Sequence, residues 1–149
     1  YRRAYFLIVG WGQLSERLAV GNREFHTEKN IILTGRMDIK DVLPYADIYV
    51  EPALIVDVGI ATLEAMKLGK PIVSTNVGDM PIFVKENKNG FLVSPHDVFA
   101  LTERIVTLLV QPELRSSMGA YSTKIVAQHT IAAYTRAFES LVLAVAETR

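Results

Sequence analysis

The sequence predicts an α/β chain: a doubly wound parallel sheet of about five strands with helices on both faces. Three observations lead there. Short, continuously apolar runs alternate with amphipathic segments along the chain. The runs show no polar alternation, so they read as strands covered on both faces. Most of them run into a glycine or a polar loop before the next helical segment, which is the punctuation of strand–loop–helix units. Right-handed crossovers between such units wind the helices onto both faces of one sheet.

The elements follow in order. Tyr5–Val9 reads as a buried strand ending at Gly10, and Leu14–Phe25 as a helix. Asn30–Thr34 is a second strand closed by Gly35, followed by a short helix over Ile39–Ala46 and a third strand over Asp47–Val50. Gly59–Leu68 is a helix with Gly69 as its C-terminal cap. Pro71–Ser74 is the fourth strand; Pro71 can begin a strand without removing a needed donor. Met80–Glu86 is a short helix and Gly90–Val93 the fifth strand. Val98, Leu101, Ile105 and Leu108 fall at helical spacing within Val98–Val110, a stripe facing a core. Helices over Pro112–Gln128 and Thr130–Ala146 complete the chain. Ligands of such sheets bind beyond the carboxyl ends of the strands. The loops that matter are therefore Gly10–Gln13, Gly35–Asp38, Glu51–Gly59 and Thr75–Met80.

Composition narrows the function. With 149 residues, half of them apolar, one domain with a real core is expected and disorder is not. Sixteen basic residues balance sixteen acidic ones, so charge gives no reason to expect a nucleic-acid or anionic-membrane partner. The absence of cysteine excludes disulfides and thiolate metal sites. No apolar run approaches the roughly 18–20 residues of a membrane span. The chain opens at Tyr1, inside what reads as an element, and its mean hydropathy is +0.21. These point to a piece of a longer protein with a covering neighbour; the hydropathy is equally that of a well-filled α/β core.

Each candidate motif has a plain structural alternative. Ile8-Val9-Gly10-Trp11-Gly12-Gln13 sets two glycines between a strand and a helix, where backbone N–H groups can approach an anion. A dinucleotide fingerprint needs a third glycine, but Ser15 stands there, and no acidic residue ends the second strand. A tight turn or proximity to a phosphate or sugar remain. Glu64 falls about one and a half turns into its helix, from which a carboxylate can accept hydrogen bonds from vicinal hydroxyls. Taken alone, it reads more simply as a surface or capping glutamate. Gly78 either admits a ligand closely or only supplies a positive φ. His26, His96 and His129 show no metal spacing and read as solvated or capping residues. Asp38 with Asp41, and Glu51 with Asp57, are not spaced as a recognisable acid–base pair.

In order along the chain, Ile8–Gly12, Ile32–Gly35, LPYADIYVEP (43–52), GIATLEAMKLGKPIV (59–73), GDMPIFV (78–84), NGFLVSP (89–95) and QPELRSSMGA (111–120) resemble the family-4 retaining glycosyltransferases. The resemblance spans nearly the whole chain, and Leu63–Met66 with Gly69–Val73 is its most specific stretch. It implies the C-terminal, Rossmann-like, donor-binding domain of a two-domain GT-B enzyme. Such an enzyme transfers a hexose from a UDP- or GDP-linked sugar with retention, without a metal ion or other cofactor. By resemblance, Glu64 holds the ribose hydroxyls, Leu63 lies beside the nucleotide, and the loop after Gly35 (Arg36, Met37) contacts the base. Gly10 and Gly12 line the donor cleft, with Gly78 in a further donor loop.

The departures are specific. The family's first glutamate, which holds the donor sugar, falls on Val56, with Asp57 beside it as a substitute; a loop glutamate falls on Ile82 and a loop glycine on Asp79. The phosphate-binding arginine and lysine and the acceptor domain belong upstream of Tyr1, which leaves Arg36 as the loop cation here. The expectations are a donor-binding chain inactive in transfer alone, a missing N-terminal acceptor domain as partner, a cytoplasmic setting that is membrane-peripheral only through that domain, and some self-association. The upstream strand is central in the family's sheet order, so this chain is expected to close the gap in the order 2-1-3-4-5, or to leave it for chain outside this sequence. Three other readings compete: a non-catalytic glycosyltransferase-like binding or scaffold domain, a sugar epimerase of the same fold, and a flavodoxin- or response-regulator-like module. The epimerase needs further carboxylates, and the last lacks its acidic cluster and its stacking aromatics apart from Trp11.

Overall fold

The computed structural model describes residues 4–55 and 59–147. The order is β1 (Phe6–Val9), α1 (Ser15–Glu24), β2 (Ile31–Gly35), β3 (Tyr49–Glu51), α2 (Ile60–Lys67), β4 (Ile72–Thr75), α3 (Met80–Phe83), β5 (Gly90–Val93), α4 (Val98–Val110), α5 (Pro112–Val126) and α6 (Ile131–Glu147). Every strand pairing is parallel, as strands joined through helices must be. The chain divides into two compact units, Tyr1–Pro44 and Tyr45–Arg149.

In the first unit β1 pairs with β2, running Phe6↔Ile31 to Val9↔Gly35 with a register shift before Val9. Helix α1 lies over the face carrying Ile8, Ile31 and Leu33, with a cleft of about 400 Å³ between them. The expected burial of β1 is not found: Phe6, Leu7 and Ile8 are 40, 47 and 39% exposed. A two-stranded ribbon under one ten-residue helix has too little surface to cover both faces of an apolar strand. The helix expected over Ile39–Ala46 is instead a pair of 3-10 turns, Ile39–Asp41 and Leu43–Tyr45. Pro44 has no N–H to continue a ladder, and the Asp38 carboxylate closes the first turn by accepting from Lys40 N.

The second unit is a three-stranded sheet in the order β3-β4-β5. The closed order 2-1-3-4-5 is not found among the described residues, where β1 pairs with β2 and β3 with β4. Gly69 caps α2 as expected. At φ +68 it lets its own N–H reach Met66 O and the Lys70 N–H reach Ala65 O, the paired bonds of a Schellman turn. The core gathers Val73, Phe91, Leu108 and Met118, with Ile48, Leu101, Ile105 and Leu114 packed against it. Val98, the first of the expected stripe, is 72% exposed; it sits at the first helical position, a turn before the packed part of α4. Arg115 closes the α4–α5 corner by donating to Leu108 O and Leu109 O. Helix α3 stops at Phe83, because Val84 turns extended and the buried Asn89 takes over, accepting from Lys85 N and donating to Phe83 O. No helix among the described residues is long and apolar enough to cross a membrane.

Candidate functional site

In the first unit, the residues of interest lie where two parallel strands end. Gly10 leaves β1 at φ +138 and Gly35 ends β2 at φ +68, backbone states that favour glycine. The Gly10 N–H donates to Gly35 O at 2.8 Å, so the two exit loops are joined at their roots. That junction brings Trp11 and Arg36 together: the guanidinium lies 5.8 Å from the indole centroid, and the pair lines a cleft of about 450 Å³. Met37 follows, half exposed. Gly12 donates its N–H to Ser15 Oγ, and a Cβ at Gly12 would meet nothing within 4 Å. No side chain caps α1; of its first-turn amides, that of Ser15 donates to Gly12 O at 3.0 Å.

In the second unit, Leu63 and Glu64 are half-buried in the second turn of α2, behind buried Thr62 and ahead of buried Ala65 and Met66. Among the described residues the Glu64 carboxylate has no hydrogen-bond or ion-pair partner. Met80 ties the β4–α3 loop to the start of α2: Thr62 Oγ1 donates to its sulfur at 3.8 Å, and a Cβ on Gly59 would collide with its methyl. Gly78 in that loop has φ +50, so the local conformation alone accounts for a glycine there. Ile82, on α3, is 52% exposed. Val56 and Asp57 lie outside the described residues. Among the described residues no three His, Asp or Glu side chains gather as metal ligands would.

Sequence reasoning missed a polar group on β3. Tyr49 and Glu51, two apart on a strand, share one face, and the Tyr49 hydroxyl donates to Glu51 Oε2 at 2.7 Å. Thr75 Oγ1, at the end of β4, donates to Ala53 O and Glu51 O, fixing the start of the loop that leads to α2. The period-two spacing was the available signal; what it pairs with depends on which face α2 covers. Burial pushes the Tyr49 phenol well above its usual value, helped by the bonded Glu51 carboxylate and by the charge of Glu64. The native state therefore keeps this proton when the unfolded chain, titrating near 10, has lost it. The stability linked to Tyr49 is complete below about pH 10 and is lost as pH rises above that value. Urea midpoints at about pH 8 and about pH 11 should fall further for the native sequence than for Tyr49→Phe; equal falls would contradict this.

Comparison with known proteins gives a consistent picture. The family described as Glycosyl transferases group 1 matches residues 1–111. D-inositol 3-phosphate glycosyltransferase of Corynebacterium jeikeium is 33% identical over 96 residues, covering 64% of this chain and 23% of that protein. UDP-Gal:alpha-D-GlcNAc-diphosphoundecaprenol alpha-1,3-galactosyltransferase of Escherichia coli is 31% identical over 103 residues, covering 68% of this chain and 27% of that protein. The crystal structure of HepE from Anabaena in complex with UDP shares the fold, with a TM-score of 0.83 at 21% identity, over 93% of this chain and 41% of that one. The chain thus spans about a quarter of the length of these curated relatives.

Proposed function

We propose that this chain, which belongs to the glycosyl transferases group 1 family and has a Rossmann-like α/β fold of the GT-B type, is as a whole (residues 1–149) the nucleotide-sugar-binding domain of a longer two-domain glycosyltransferase. The parent transfers a hexose from a UDP- or GDP-linked donor, with retention, to an acceptor held by its other domain. The observation that carries the reading is Glu64: a half-buried residue whose carboxylate has no hydrogen-bond or ion-pair partner among the described residues, on the helix whose sequence is the most family-specific part of the chain. A carboxylate so placed has its acceptor sites open to the two hydroxyls of a ribose.

The remaining donor groups fit this role. Gly10, Gly12 and Gly35 carry no side chain beside the uncapped start of α1, where N–H groups and the helix dipole favour a diphosphate. Arg36 adds a cation to that edge, and Leu63 an apolar wall beside Glu64. Charge developing on the leaving diphosphate needs such fixed donors; the acceptor and the family's other cations are assigned to the rest of the parent. A second reading, a binding domain without catalysis, is favoured by Ile82, whose exposed side chain offers no polar contact where the family has a carboxylate.

Calorimetric titration with UDP, GDP and ADP and their sugar conjugates tests the proposal. One nucleotide should bind, and Glu64→Ala should weaken it at least about tenfold, the worth of about 1.5–3 kcal/mol for a charge-assisted bond. Binding that Glu64→Ala leaves unchanged would remove Glu64 from the site.

A further inference from the structure

We propose that Trp11 is a base-stacking residue: its indole is the plate on which the nucleobase of the donor lies, with the Arg36 guanidinium alongside it to meet the donor's phosphates. This rests on the donor-binding reading above and adds a contact that neither the family pattern nor the relatives assign. Trp11 is the sole tryptophan of the chain and is 74% exposed, although an indole is among the costliest side chains to leave in water. It does not fill a core, so packing does not explain it. Its position is constrained nonetheless. The Gly10–Gly35 hydrogen bond joins its loop to that of Arg36, and the guanidinium at 5.8 Å covers part of the ring.

The chemistry of the cleft is that of a nucleotide. One wall is a flat π surface; the other is a planar cation with five donors. A base stacks on the first, and phosphate oxygens accept from the second. Both walls stand at the carboxyl ends of parallel strands, where the fold places ligands, beside the uncapped first turn of α1. A hexose or an apolar chain would use the indole but would leave Arg36 without a counter-charge.

The one indole of this 149-residue chain is the proposed contact, so its emission reads the site directly. UDP, GDP and ADP are titrated into the 149-residue chain, followed by tryptophan emission and, in parallel, by calorimetry. The nucleotide that binds should change Trp11 emission with the same midpoint as the heat. Trp11→Ala should weaken it about tenfold, and Trp11→Phe, which keeps a π face, should hold affinity within about threefold. Trp11→Leu, apolar without a π system, should resemble Trp11→Ala. Circular dichroism should be unchanged throughout, since the side chain is exposed. If the nucleotide binds and depends on Glu64 but all three Trp11 variants bind like the native chain, the stacking inference is wrong and the donor reading stands. If emission responds to a nucleotide-sugar and not to the bare nucleotide, the plate serves the sugar and the inference is equally overturned. If no nucleotide produces heat or an emission change, both the inference and the donor reading fall.

Discussion

Gly119→Ala should destabilise the second unit by about 2–4 kcal/mol, the upper range for overpacking at a site that cannot yield. Gly119 is buried in α5 where that helix crosses the end of α2. A Cβ there would run into the carbonyl oxygen of Gly69. That oxygen belongs to the Schellman turn, held by the Gly69 and Lys70 N–H bonds, and the next carbonyl, of Lys70, accepts from Ser122 Oγ at 2.8 Å. Nothing at the contact is the far end of a flexible side chain, so the added methyl can be admitted only by moving α5 off α2. The neighbours on α5, Met118 and Ser122, are buried with it and would be uncovered together. The loss should appear as a lower thermal midpoint in far-ultraviolet circular dichroism. An unchanged midpoint would mean that the two backbones do not approach so closely.

Leu108→Ala should cost a similar amount, about 2–5 kcal/mol, for the opposite reason. Leu108 is fully buried among Val73 of β4, Phe91 of β5 and Met118 of α5. Its removal leaves a hole lined by three elements. The carbonyls of Leu108 and Leu109 are tethered by Arg115, so the helix end cannot slump inward to fill it. Phe99→Ala, on the exposed side of the same helix, should change stability by less than about 0.5 kcal/mol. Denaturant midpoints for the two variants separate the effects. Equal losses would mean that α4 is not seated on the sheet by the face observed.

Most elements were legible because their signals are local. Gly69 is read as a cap from its place after a helical run, and the cap requires only the left-handed backbone state that glycine adopts freely. Val98–Val110 was bounded correctly since its stripe repeats at helical spacing and Asp97 caps its start. The short elements failed where a single residue overrode a weak pattern. Pro44 broke the helix expected over Ile39–Ala46, and Asn89 drew the chain out of α3 after one turn. Of the candidate residues, Glu64 in the second unit and the glycine loops of the first were visible as motif positions, whereas the Tyr49–Glu51 bond and the approach of Arg36 to Trp11 were not.

The sequence by itself determined the α/β class, the parallel pairing implied by helix-linked apolar strands, the ends of the longer helices, and a candidate carboxylate at Glu64. These depend on periodicity and backbone preference within a few residues. Only the tertiary structure decided which strands share a ladder, that β1 remains exposed, and which side chains meet across loops. Those outcomes depend on surfaces contributed by elements far apart in sequence. An apolar run such as Phe6–Val9 states that burial would be favourable, but not whether this stretch of chain carries enough surface to provide it.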